Sequence, residues 1–187
     1  MTISTTFFRE GMMNWTQMIT SEIEATYAVT DKLMAMLKDE DLGWKPATGA
    51  NWMTTGQLLM HLTTACGMCC KGFVTGDWGL PEGASFEDVP HEEMLPRAEK
   101  LPTVDSVAQA REALAEDKKI GLAMVAQAGE DDLNSKMCSA PWEQGNEKLL
   151  GKHMLEMVNH LAIHKAQLFY YLKLMDRPVD TMSLWGM

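Results

Sequence analysis

The chain has no run of eighteen apolar residues, so it offers no membrane-spanning helix of the usual length. Its first residues, Met1 to Arg9, lack a basic stretch followed by an apolar one, and a cytoplasmic protein is expected. Cysteine is scarce, with four in 187 residues, and two of them are adjacent at Cys69 and Cys70. A chain of this length needs no disulfide framework to hold a core, so free thiols are expected. Basic side chains are outnumbered, 16 Lys and Arg against 26 Asp and Glu, and the formal charge of −10 repels nucleic-acid backbones and anionic membranes alike. No P-loop, Rossmann glycine fingerprint, G-x-S-x-G or H-E-x-x-H occurs, which removes the motif-based case for nucleotide binding, serine hydrolysis or zincin chemistry. Cys66-Gly-Met-Cys69 has the spacing of a metal or redox pair, but it falls inside a helical pattern and no second pair accompanies it.

β-Branched residues are few beside Ala, Leu, Met, Glu and Lys, which favours an all-α chain. There is no internal repeat and no composition break, so one domain over residues 1–187 is expected. The seventeen methionines suit irregular core gaps. A short helical arm is expected over residues 1–13, interrupted by Gly11. Helix one follows from Asn14 to about Lys38, with Trp15, Ile19, Ile23, Tyr27, Leu33, Met34 and Leu37 at helical spacing. Thr54-Thr-Gly-Gln57 has the form of a capping box and starts helix two at Thr55, predicted to run unbroken to about Phe73. Residues 74–102 carry Pro81, Pro90, Pro96 and Pro102 and read as a long crossover, with His91 solvated within it. Helix three is predicted from about Asp105 to Ala128, capped by Asp105 or Ser106 and stopped by Gly129. Helix four is predicted from about Glu147, with Asn146 as its cap, to Met175. A tail containing Leu184 and Trp185 then docks on the helices.

Helix four carries His160 and His164 four residues apart, hence on one face and one turn apart. Two such imidazoles can hold one metal ion; they can equally be a buried and an exposed histidine with no ligand. His61 falls on the apolar stripe of helix two with Leu58, Leu62 and Ala65, and would supply a third ligand. Three neutral imidazoles suit a divalent ion and leave a position open for water or substrate. His153, seven residues before His160, lies too far along the axis to join them and is read as a surface residue. Gln167, one turn after His164, is placed to hold an imidazole tautomer from outside the ligand set.

Leu42-Gly-Trp44-Lys-Pro46, Trp52-Met-Thr54-Thr-Gly-Gln57-Leu-Leu-Met-His61 and Asn159-His160-Leu-Ala-Ile-His164-Lys-Ala-Gln167, followed by Tyr171-Leu-Lys-Leu, resemble the DinB/YfiT-like metalloproteins over most of the chain. The resemblance implies a four-helix bundle of up-down-down-up topology, to which this sequence adds its long crossover between helices two and three. It also implies a divalent metal, zinc or nickel, on His61, His160 and His164, and frequent homodimers. The family includes thiol S-transferases that use low-molecular-weight thiols and maleylpyruvate isomerase-like enzymes. A metal-activated thiol or water nucleophile acting on a small-molecule substrate is therefore one expectation, and a non-catalytic metal- or ligand-binding stress-response bundle is the other. The chain departs from the family at Lys165-Ala166, where Arg-Gly is common, and in the length of the crossover. A homodimer is also expected from Leu168, Phe169, Tyr170, Tyr171 and Leu172, five consecutive apolar or aromatic residues that face all round helix four.

Overall fold

α1 runs Trp15–Met34 because both ends of its sequence are helix signals. Asn14 Oδ1 accepts from the Gln17 amide at 2.9 Å, and the Glu130 carboxylate takes the amides of Trp15 and Thr16 at 3.1 and 3.0 Å. Ile19, Ile23, Tyr27, Thr30, Leu33 and Met34 recur at three and four residues and are all buried. The helix ends at Met34, short of the expected Lys38, though Leu37 is still buried by the turn that follows. A single 3-10 turn, Asp39–Asp41, then ties distant elements together. Asp39 Oδ1 caps the helix that begins at Val107, and Asp41 receives Arg177 on both carboxylate oxygens at 2.8 Å. This computed structural model describes residues 14–81, 83, 84, 86, 89 and 97–187; the expected arm over residues 1–13 and His91 lie outside them.

The capping box forms as predicted. The Gln57 amide donates to Thr54 Oγ1 at 3.3 Å, and the Thr54 amide donates to Gln57 Oε1 at 2.8 Å. The predicted single helix from Thr55 to Phe73 does not form. It is two helices, α2 (Thr55–Leu62) and α3 (Gly67–Thr75), separated by a turn over residues 63–66. α4 spans Val107–Ser135 with Ser106 as its cap, and it consists of two helical stretches that meet at a kink where Gly129 (φ 66°, ψ 175°) is non-helical, so the predicted stop at Gly129 ends the first of them. Only a residue free to adopt positive φ bends the chain in that way.

The segment between α4 and the last long helix holds a two-residue antiparallel ribbon that the sequence did not suggest, β1 (Met137–Cys138) against β2 (Lys148–Leu149). Because β2 pairs as a strand, α5 starts at Leu150 instead of Glu147, and Asn146 is not its cap. α5 continues to Leu174, and α6 (Thr181–Trp185) is capped by Asp180. The tail docks as expected: Lys165 Nζ donates to the Leu184 carbonyl and Lys32 Nζ to that of Gly186. The fold is therefore all-α apart from the ribbon. α1, α4 and α5 pack on one another, and α2 and α3 both lie against α4 and α5. Ile19, Ile23, Leu58, Leu62, Leu114, Leu150, Met154, Leu161 and Leu168 are fully buried among them. At about 1.5–3 kcal/mol for each large apolar side chain removed from water, this shared core fixes α2 against α5. No helix among the described residues is long and apolar enough to cross a membrane.

One expectation about the surface is overturned. Leu168, Phe169, Tyr171 and Leu172 are buried within the chain, and of that run Tyr170 alone is exposed. Trp44 and Trp52, in the segment between the 3-10 turn and α2, stand edge-on to Tyr171 and cover part of what looked like a second apolar face.

Candidate metal centre

His61 projects from the last turn of α2, and His160 and His164 project from the middle of α5. The core between α2 and α5 brings the three rings together, with centroids 5.0 Å (His61 to His160), 4.3 Å (His61 to His164) and 4.9 Å (His160 to His164) apart. One ligand atom from each lies within 4.8 Å of the others, and His61 Nε2 is 3.1 Å from His160 Nε2. Nitrogens bound to one ion at about 2.0–2.1 Å, at tetrahedral or octahedral angles, stand roughly 2.8 to 3.4 Å apart, so the shortest of these contacts already has that spacing.

The outer nitrogens settle which atoms face inward. His160 Nδ1 bonds the Ala65 carbonyl at 3.1 Å, and His164 Nδ1 bonds Gln167 Oε1 at 3.0 Å. Both partners are acceptors, so both Nδ1 atoms carry the proton and both Nε2 atoms present a lone pair. Gln167 is itself held, because its Nε2 donates to the Tyr171 hydroxyl at 3.2 Å and that hydroxyl donates to the Met53 carbonyl at 2.8 Å. This is the usual support of a metal-bound histidine, with the far ring nitrogen anchored and the near one free.

Burial also keeps the rings neutral. His61 is pushed down to about 4, first by loss of solvent and then by the two neighbouring imidazoles, and His160 and His164 are lowered by the same loss of solvent. Their lone pairs are therefore available to a cation at neutral pH. The donor set fits a divalent ion of intermediate softness. No carboxylate or thiolate joins the three histidines among the described residues.

The remaining candidates sort differently. His153 is not a surface residue: it is 1% exposed, with Nε2 donating to the Cys138 carbonyl at 2.8 Å and its ring stacked on Phe73 at 4.4 Å. It pins the ribbon to α5 and lies outside the ligand cluster. All four cysteines are free thiols. Burial pushes Cys69 up to about 12, and a hydrogen bond with Cys66 together with burial raises Cys70 well above its ordinary value, so neither is a ready nucleophile. Sequence reasoning missed two supporting groups. Tyr171 was readable in principle, being one turn beyond Gln167. The Ala65 carbonyl was not, since it is available only because the helix breaks there.

Residues 22–168 match the model of the DinB superfamily. The chain belongs to that superfamily. A solved structure of a protein assigned to the DinB family, from Exiguobacterium sibiricum 255-15, superposes with a TM-score of 0.59. It covers 92% of this chain and 99% of its own at 17% identity, a likeness of fold alone. No significant match is found among curated proteins. The DinB region begins within α1 and ends in α5, so it encloses all three histidines.

Proposed function

We propose that this DinB-superfamily chain is a cytoplasmic, divalent-metal-dependent enzyme acting on a small molecule, with His61, His160 and His164 as ligands to zinc or nickel. The observation that carries the reading is the pair of anchored tautomers: the Ala65 carbonyl and Gln167 each hold an Nδ1–H and turn the Nε2 atoms of His160 and His164 inward. When bound there, a divalent ion lowers the pKa of a thiol or water and supplies a nucleophile near neutral pH. A low-molecular-weight thiol is the preferred co-substrate, as in the thiol S-transferases of the family, because Cys66 and Cys70 are fully buried and the thiols of Cys69 and Cys138 are raised by burial. Within this reading the fold is a single four-helix bundle of up-down-down-up order, with α2 and α3 together in second place. The free thiols agree with a reducing compartment.

One observation favours a second reading. Among the described residues no acidic side chain joins the histidines, so no general base is evident at the site. A non-catalytic bundle that binds a metal or ligand in a stress response has the same ligands and needs no base.

The first test is zinc and nickel titration by calorimetry. His61→Ala, His160→Ala and His164→Ala should each weaken binding at least tenfold, whereas His153→Ala should lower the melting temperature and leave affinity unchanged. Wild-type affinity in His61→Ala sinks the ligand set. With ligands established, thiol conjugation to electrophilic substrates by the metal-loaded protein separates the two readings, and a filled site without turnover favours the second.

A further inference from the structure

The turn that separates α2 from α3 lies beside His160, and its cause sits on α4. We infer that Asp117 is a positioning residue for the metal centre: with Tyr27 it holds the first turn of α3, keeps the helix broken, and so presents the Ala65 carbonyl to His160. The inference rests on the three-histidine reading and extends it to a side chain that bonds none of the ligands.

In an unbroken helix the Ala65 carbonyl would accept from the amide four residues on, that of Cys69. Here α2 closes with the Thr63 amide on Leu59 and Met60 and the Thr64 amide on His61, all at 3.2 Å. α3 opens its own ladder with the Cys70 amide on Cys66 at 2.8 Å. Between them Cys66 takes φ −128° and ψ −65°, outside the helical range. The Ala65 carbonyl is thereby left to His160 Nδ1.

A second helix start inside the core needs acceptors for its first amides. Asp117, 2% exposed, supplies them: Oδ2 accepts from Gly67 at 2.9 Å and Oδ1 from Met68 at 2.8 Å. The Tyr27 hydroxyl donates to Asp117 Oδ2 at 2.6 Å and also accepts from the Gly67 amide at 3.2 Å. A negative group at the positive end of a helix is favourable in itself. Position 67 admits only glycine, because a Cβ there would collide with the Asp117 carbonyl oxygen. α3 thus meets α4 backbone to backbone at the residue that caps it. A chain of contacts runs from Tyr27 through Asp117, Gly67 and the turn to Ala65, and from there to one imidazole of the site.

Asp117→Asn keeps the volume but turns an NH₂ toward one of its donors, so the α3 cap is half lost. In metal-free protein near neutral pH, proton–nitrogen correlation of the imidazoles should show His160 changing from one Nδ1-protonated tautomer to a mixture. The zinc dissociation constant should rise about tenfold, the lower end of the range for partners of metal-bound histidines. Tyr27→Phe leaves both amide bonds to Asp117 in place and should give the same changes in smaller measure; it decides the matter if Asp117→Asn does not fold. Leu133→Ala, a fully buried α4 residue beyond Gly129, is the control, expected to destabilise the fold and leave both readouts unmoved. An unchanged His160 tautomer and zinc affinity in the Asp117 and Tyr27 variants overturns the inference. If the wild type holds no zinc, the metal reading fails separately, and the tautomer still decides the positioning role.

Discussion

Gln167 shows how much of the site is made at the scale of single residues. Its carbonyl fixes His164 and its amide group leans on Tyr171, which is buried and bonded to the Met53 carbonyl. Gln167→Leu should therefore weaken zinc binding about tenfold with little change in melting temperature. Tyr171→Phe should act on both, because it orphans the Met53 carbonyl at a cost of about 1–3 kcal/mol. Equal affinities for Gln167→Leu and wild type, measured by competition with a chelator, would refute this support. The lowered pKa values carry a second consequence. A histidine at about 4 in the folded chain and about 6.5 in the unfolded one binds fewer protons when folded, so its contribution to stability is present above 6.5 and is lost as pH falls toward 4. His160 and His164 are lowered too and act in the same direction. Urea unfolding of metal-free protein should show stability declining between pH 6.5 and 4, and His61→Gln should flatten that decline. At this scale the sequence was informative where spacing does the work: His160, His164 and Gln167 lie on one helix, and their relation follows from 100° per residue. It misled at His153, whose burial depends on a ribbon and on Phe73, neither of which its own helix reveals.

The elements show the opposite balance. Helix starts governed by neighbouring residues were legible, as at Thr54 and Gln57 or at Ser106, because a capping side chain and its amide lie three residues apart. Breaks governed from a distance were not. Thr63 to Cys66 contains no proline, and the turn there is set by Asp117, some fifty residues along the chain. Gly129 was read as a stop and does break the helix, but the sequence did not show that a second helical stretch follows at once and brings Glu130 onto the first amides of α1. Burying a helix start on another helix demands a glycine at the contact, and this gives a clear expectation. Gly67→Ala replaces a poor helix former by a good one and on propensity alone should stabilise by about 1 kcal/mol. Because the new Cβ meets the Asp117 backbone, it should instead destabilise by about 1–3 kcal/mol or more, and should weaken zinc binding as Asp117→Asn does. A urea midpoint at or above that of wild type would show that α3 can shift away from α4 without cost, which the backbone contact argues against.

For the whole molecule the open matter is association. The five-residue run that first suggested a dimer is largely internal, but α5 still shows water a different set: Ile163, Tyr170 and Leu174 are 57, 60 and 62% exposed. Spacings of seven and four put them on one stripe, which lies roughly 80° round the helix from His160 and His164 and so flanks the face that carries them. Lys165, which bonds the Leu184 carbonyl, lies on the far side of α5 from this stripe, so the exposed Met182 and Trp185 of α6 form a separate patch. Apolar side chains gathered in this way cost little when scattered but favour association when contiguous, and two-fold pairing of like helices is the commonest way to cover them. We therefore propose a homodimer formed through the exposed stripe of α5. Sedimentation equilibrium at micromolar concentration should give about twice the chain mass of 20.9 kDa. Tyr170→Glu combined with Leu174→Glu should return it to one chain while leaving zinc affinity unchanged, since neither residue bonds the ligands or their supports. A wild-type mass of one chain would reject the dimer and leave the stripe as plain surface. A dimer that survives both glutamates would move the interface elsewhere and remove α5 from it. The chain's charge of −10 works against pairing, so added salt should strengthen a dimer built on this apolar stripe, whereas one held by ion pairs would weaken.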